Sequence, residues 1–324
     1  MKVALVIPVW NDPEGLMRLL VQAQELAWVS QIVVADDASD PPCGPGMAGL
    51  PAAVAADTRL LWLRSDTRRG PGNARNHGLD HVTAEHVLFF DSDDLFLPAM
   101  TDLMQALGGR LFDFCLFRHV DSRTRGTSCP GPMPYDEALW QEAGAIEPPA
   151  PLRPGAEIRL CGLSAYPWNK IYRTAFLREH AIRCTPITVH EDIELHWLSF
   201  LHGRDILVSR HAGCYHVVRE AGDRLTNRRD KVRLEVFAGL DAVQAALRQH
   251  PRGPDFMAPF TDFTLQLFDW ISATIEPGLQ AEFADRARRH LRDTLPEPAF
   301  TLLALRAPAL AGRVIRRIWG TSCD

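Results

Sequence analysis

The 324-residue chain has seven cysteines but no CxxC pair and no repeated cysteine spacing, so neither a zinc ribbon nor a disulfide framework is written into it. An odd number of scattered cysteines points to free thiols in a reducing cytoplasm. No stretch reaches the ~18 uninterrupted apolar residues that a transmembrane helix requires. Basic residues are not in excess. Thirty-five Lys and Arg face 40 Asp and Glu, a formal net charge of -5, which argues against a nucleic-acid partner. GxxxxGK[ST] is missing, which excludes a P-loop, and no HExxH occurs among the twelve histidines. There is no internal repeat and no low-complexity tract. The opening MKVALVIPVW is too short an apolar run for a signal peptide, because Asn11, Asp12 and Glu14 follow at once.

What is present is an alternation. Val3 to Val9 is a continuous apolar run with several β-branched residues, the pattern of a strand covered on both faces. Asn11 to Pro13 breaks it, and a helical pattern runs from Leu16 to Leu26. Ile32 to Ala35, Leu60 to Leu63 and Val87 to Phe90 repeat the strand signal, with a helix expected over Asn73 to Asp80. Strands alternating with helices predict an α/β sheet built from βαβ units. Asn11, Asp37 and Asp91 each follow a strand's carboxyl end, the edge on which open α/β sheets bind ligands. Residues 122–154 are rich in Gly and Pro and read as a long loop or lid. Beyond Asn227 the chain turns helical: Val232, Val236, Leu240, Val243 and Leu247 form one apolar stripe, and Phe256 to Ile271 another.

The strongest chemical signal is Asp91-Ser92-Asp93-Asp94. Carboxylates crowded at a strand end repel one another unless a cation joins them. Hard oxygen ligands suit Mg²⁺ or Mn²⁺ held together with substrate phosphates. A helix cap is the plainer alternative, but one cap needs one aspartate rather than three. Asp36-Asp37 can accept from a uracil imide or a ribose hydroxyl, or close an Asx turn. Glu191-Asp192 can supply a general base for an alcohol, or cap a helix. The glycine loop from Arg69 to Asn76 leads into a helix whose N-terminus can hold phosphate. His190, His211 and His216 lie nearby and read as structural.

Taken together these segments resemble family 2 glycosyltransferases of bacterial surface polysaccharides. Ile7-Pro8-Val9-Trp10-Asn11 is similar to that family's first strand and polar turn. Val34 to Asp40 is similar to its second-strand acidic motif, and Gly72 to Gly78 to the helix before its metal motif. Phe90-Asp91-Ser92-Asp93-Asp94 is similar to its DxD motif. Trp168 to Arg173, His190 to Leu195 and Tyr215 to Thr226, with Arg219, resemble its acceptor-side and closing segments.

The resemblance covers residues 1–230 and implies a GT-A type, Rossmann-like mixed sheet flanked by helices, with a helical C-terminal extension. Residues 1–115 would form a nucleotide-sugar half, 116–226 an acceptor half and 227–324 the extension. The donor-binding residues it implies are Pro8, Trp10 (stacked on the base), Asn11, Asp37, Asn73, Arg75, Asp91 and Ser92. Asp91 and Asp93 would hold Mn²⁺ or Mg²⁺, and Asp192 would be the base of an inverting transfer. The donor would be a nucleotide-sugar, UDP-linked, and the acceptor a glycan or a lipid-linked hydroxyl. QxxRW, the processive signature, is missing, so single addition is expected. Rival readings are a sugar-nucleotide pyrophosphorylase, whose glycine-rich N-terminal signature is missing, and an inactive glycan-binding module.

Residues 299–319 interleave leucines, Ile315, Ile318 and Trp319 with Arg306, Arg313, Arg316 and Arg317, and contain no acidic residue. That pattern fits peripheral contact with an anionic membrane face, or a terminal helix packed on the protein's own core. Pro308 limits a continuous helix there.

Overall fold

β1 (Val3–Val9) is buried at every position, as its unbroken apolar run requires. The computed structural model describes residues 1–128, 130–146, 148–218 and 225–320. Asp12 accepts from the Gly15 N–H (3.3 Å), and Pro13 opens α1 (Pro13–Gln24). β2 (Val29–Asp36), the short α2 (Ala52–Ala55), β3 (Leu60–Arg64), α3 (Pro71–Asp80) and β4 (His86–Phe89) complete the βαβ half. Then come β5 (Leu95–Phe96), α4 (Ala99–Ala106), β6 (Phe114–Asp121), α5 (Pro134–Ala143), β7 (Ala150–Pro151) and α6 (Glu157–Leu160). β8 (Lys170–Arg173), α7 (Thr174–Glu179), α8 (Asp192–His202) and β9 (Ile206–His216) follow.

The strands form one mixed sheet in the order β3-β2-β1-β4-β8-β6-β9-β5, with β7 on β9. β1 pairs in parallel with β2 and β4, as β6 does with β9, whereas β8 runs antiparallel to β4 and β6. The carboxyl ends of β1, β2, β4, β6 and β9 and the start of β8 therefore share one edge. The side chains of β1 alternate between two cores. Leu5 and Ile7 pack with Leu16 and Leu19 of α1 and Leu103 of α4. Ala4 and Val6 face the layer that holds Leu79 of α3 and Trp197 and Phe200 of α8. Gly78 lets α3 lie on the sheet, since a Cβ there would stand 2.4 Å from Val6 Cγ1.

Residues 122–154 are not the loop that their Gly and Pro content predicts. They contain α5, which buries Leu139, Trp140 and Ala143. One short stripe between turn residues is too brief to show as periodicity. The C-terminal helices are α9 (Val236–Gln249), α10 (Gly253–Thr274), α11 (Gln280–Thr294), α12 (Glu297–Arg306) and α13 (Pro308–Trp319), with Pro308 at the break between the last two. They share a hydrophobic core with the sheet layer: Trp197 meets Phe260 and Phe263 edge-on at 5.0 and 5.4 Å. Part of the arginine stripe near the C-terminus is engaged internally. Arg313 pairs with Asp262 (2.5 Å) and Arg317 with Asp269 (3.6 Å), both acids on α10. Leu305 and Trp319 stay 78% and 70% exposed, beside exposed Arg306 and Arg316. Five described cysteines are buried and free.

Candidate active site

The shared strand edge opens into a cavity of about 1470 Å³. Pro8, Trp10 and Asn11 leave β1 into it. The Arg68 guanidinium lies over the Trp10 ring, 3.4 Å from its centroid, on a face that a nucleobase would use. Asn11, at φ 49°, joins two loops. Its N–H donates to Ser39 Oγ, and its side-chain oxygen accepts from the Asp40 N–H, each at 2.8 Å. Asp37 is buried and accepts from the N–H groups of Arg69 (2.8 Å) and Gly70 (2.7 Å). It thereby fixes the loop that leads into α3, where Gly70 takes φ 89°.

Asn73 does not join the other donor-side residues. Its amide donates to the Arg69 carbonyl (2.8 Å), and it does not line the cavity. The side chain thereby closes the loop on which it sits. Ser92 lines the cavity, but its hydroxyl donates to Asp12 Oδ2 (2.7 Å).

Arg75 is a buried bridge. One guanidinium nitrogen donates to Glu191 Oε1 (2.5 Å) and the other to Asp91 Oδ1 (2.6 Å). Burial works against its charge, but the two carboxylates outweigh it and raise its pKa. A Cβ on Gly72 would stand 2.6 Å from the Thr185 carbonyl and 2.8 Å from Glu191 Cβ, so only glycine lets α3 approach the segment before α8 so closely.

Asp91, Asp93 and Asp94 place carboxylate oxygens within 4.8 Å of one another. Asp94 is buried and accepts from His216 Nδ1 (3.0 Å) and the Val217 N–H (2.8 Å). Asp91 and Asp93 line the cavity. Two cavity-lining carboxylates, one of them also held by Arg75, and a buried third beside them fit a hard divalent cation that also meets phosphate oxygens. Burial disfavours a charged His216, but Asp94 outweighs that and raises its pKa.

At the far side His190 adopts φ 63°, a strained turn just before the acidic pair. Glu191 makes no side-chain cap bond to α8. Asp192, the first residue of α8, lines the cavity. Burial, reinforced by Glu191 and Asp91 against the opposing pull of Arg75, pushes its pKa up to about 8. Fully buried Lys170 donates to the Tyr166 carbonyl (2.6 Å) and Asn169 Oδ1 (2.7 Å). Burial lowers its pKa to about 7, and Asp192 is the first of the groups that oppose the drop.

Residues 4–132 match the family model described as glycosyl transferase family 2. Over these residues the chain is similar to family 2 glycosyltransferases. Over 282 residues it is 27% identical to a pre-mycofactocin glycosyltransferase of Mycobacterium tuberculosis, covering 86% of this chain and 53% of that protein. Over 102 residues it is 38% identical to the succinoglycan biosynthesis protein ExoW of Rhizobium meliloti, covering 30% of this chain and 31% of the other. The chain thus spans about half or less of the length of these curated relatives. The crystal structure of S. aureus TarS 1-349 in complex with UDP-GlcNAc superposes with a TM-score of 0.72 at 19% identity, covering 98% of this chain and 89% of the other. The GT-A fold is therefore shared along the whole chain, helical extension included.

Several cavity-lining residues escape sequence reasoning. Arg68 is separated from Trp10 by 58 positions, and nothing local links them. Phe263, Leu267 and Trp270 of α10 line the cavity. The only signal for them was the aromatic content of residues 256–271.

Proposed function

We propose that the chain moves one sugar at a time from a UDP-sugar to an acceptor hydroxyl, glycan or lipid-linked, with inversion at the anomeric carbon. The observation that carries this reading is the convergence on one cavity of the paired carboxylates Asp91 and Asp93 with the half-buried, basic carboxylate Asp192. Asp91 and Asp93 would hold Mg²⁺ or Mn²⁺, which supplies charge neutralisation for the departing diphosphate. Trp10 stacks on the base, and Asp37 and Asp91 face the nucleoside. Arg75 holds Asp91 and Glu191 in a fixed relation across the site.

Asp192 takes the proton from the acceptor hydroxyl. The acceptor oxygen then forms its bond to the anomeric carbon as the bond to the phosphate oxygen breaks, and UDP leaves with that electron pair. A single displacement inverts the centre. Residues 1–115 act as the donor half and 116–226 as the acceptor half. Proton NMR of the first-formed product tests the stereochemistry: an α-linked donor must give a β-linked product, and a retained linkage contradicts the mechanism. Release of pyrophosphate in place of UDP would mark the nucleotidyltransferase alternative.

Peripheral membrane contact through residues 299–319 belongs to the same reading. It is supported by exposed Leu305 and Trp319 beside exposed Arg306 and Arg316. Co-sedimentation with anionic vesicles at low salt tests it, and a protein that stays in the supernatant rules it out.

A further inference from the structure

α10 has three occupied or committed faces. Thr264, Leu265, Phe268 and Ile271 are buried in the core. Asp262 and Asp269 pair with Arg313 and Arg317 of α13. Phe263, Leu267 and Trp270, spaced four and three residues apart, form the remaining stripe, and it faces the cavity. Trp270 is 43% exposed. Its ring is nevertheless held in place: the Arg233 guanidinium lies 4.5 Å from its centroid, and His190 meets it edge-on at 5.9 Å. Arg233 is itself fixed by hydrogen bonds to the Arg228 carbonyl (2.6 Å) and to His190 Nε2 (3.0 Å). His190 is two residues before Asp192, so the tryptophan is tied to the turn that presents the base.

The chemistry of this half differs from that of the donor half. Asp12, Asp37, Asp91 and Asp93 line the donor side, whereas Asp192 and its buried neighbour Glu191 are the only carboxylates around α10's stripe among the described lining residues. The lining also includes Met133, Val217 and Val218 and the stacked pair Tyr166 and Trp168, whose centroids are 4.4 Å apart, with Arg123, Ser164, His216 and Arg229 as polar members. A site that reads a bare glycan presents carboxylates and amides to its hydroxyls. Asn227 is the one side-chain amide on the acceptor side of the described lining.

We infer that the α10 stripe is the acceptor subsite, and that it selects a hydroxyl carried next to an apolar, aromatic body rather than on a bare glycan. This rests on the proposed transfer reaction and narrows its acceptor. An indole with one face pinned by a cation offers a rigid platform for an apolar ring, and the aliphatic wall excludes water around it. The helical extension is then part of the acceptor site, not an appendage to it.

The test uses the full chain with UDP-glucose, UDP-galactose and UDP-N-acetylglucosamine in Mn²⁺. Acceptors are the methyl and p-nitrophenyl glycosides of glucose, galactose and mannose. UDP release is followed, and UDP binding is measured by calorimetry in every variant. At least one p-nitrophenyl glycoside should exceed its methyl partner by ~10-fold or more in kcat/KM. Trp270→Ala should remove most of that preference while leaving UDP affinity unchanged, and Trp270→Phe should keep it. Equal use of both partners, no acceleration by any aryl glycoside, or an equal loss for both in Trp270→Ala overturns the inference while UDP still binds. Loss of UDP affinity in Trp270→Ala also overturns it, because the stripe would then serve the donor. If the unaltered protein neither binds UDP nor releases it, the transfer reading itself fails and the inference falls with it.

Discussion

Asp192→Asn should stabilise the protein at neutral pH while removing most turnover. The carboxyl group has a pKa near 8 in the folded chain and 3.8 in a solvated one. A carboxyl whose folded pKa is raised favours folding most fully below pH 3.8, and that contribution is lost as pH rises toward 8. At pH 7 the unfolded chain would ionise Asp192 and the folded chain would keep it mostly protonated. The span from 3.8 to 7, at ~1.36 kcal/mol per pH unit, gives a penalty of ~4 kcal/mol. Asparagine, neutral and similar in shape, avoids it. The value is a ceiling, because cavity water reaches part of the group. With an unfolding entropy of ~2.1 cal/mol/K per residue over 324 residues, each kcal/mol shifts Tm by ~1.5 °C. The variant should therefore melt up to ~6 °C higher at pH 7. At pH 5 the ceiling falls to about 2 kcal/mol. Differential scanning calorimetry at the two pH values measures both gaps. UDP affinity should be unchanged, since the base acts on the acceptor. A variant that melts below the unaltered protein at pH 7, or a gap that does not shrink at pH 5, would refute the assigned environment.

The same ionisation predicts that kcat/KM rises with pH, reaches half its plateau near pH 8 and levels off roughly one pH unit higher, when Asp192 has lost its proton; a profile already flat from pH 6 contradicts a base of this kind. Arg75→Met should leave Glu191 and Asp91 unpaired and cost ~3 kcal/mol or more of stability, read from urea unfolding, with an unchanged midpoint as the contrary result. Trp10→Ala should weaken UDP binding by ~1 kcal/mol, about fivefold, in calorimetry, and unaltered affinity would remove the stacking role.

The first four strands were legible because each is an apolar run bounded by turn residues, and because the polar or acidic residues after three of them, Asn11, Asp37 and Asp91, fall on one edge. Asp91 and Asp93 were legible because three carboxylates within four residues demand a partner. What the sequence hides is pairing at a distance. Arg75 reads as a phosphate contact on a helix start, and only the fold brings Glu191, 116 positions away, onto its guanidinium. Asn73 shows the related point that a polar side chain near a helix start can bond its own loop, a partner that the sequence does not announce. The helix within residues 122–154 was masked by flanking Gly and Pro. Trp270 read as one more aromatic in a core stripe. It faces the cavity because the helix faces on either side of it are taken by the core and by α13.

UDP release from UDP-sugars, followed with and without Mn²⁺ in the unaltered protein and in Asp93→Asn, tests nucleotide-sugar transfer at this site most directly. The unaltered protein should release UDP only when the cation is present, and Asp93→Asn should melt normally yet release it at no more than ~1% of that rate, as expected when ~3 kcal/mol of leaving-group stabilisation is lost. Full release in excess chelator, or undiminished release by Asp93→Asn, would contradict it.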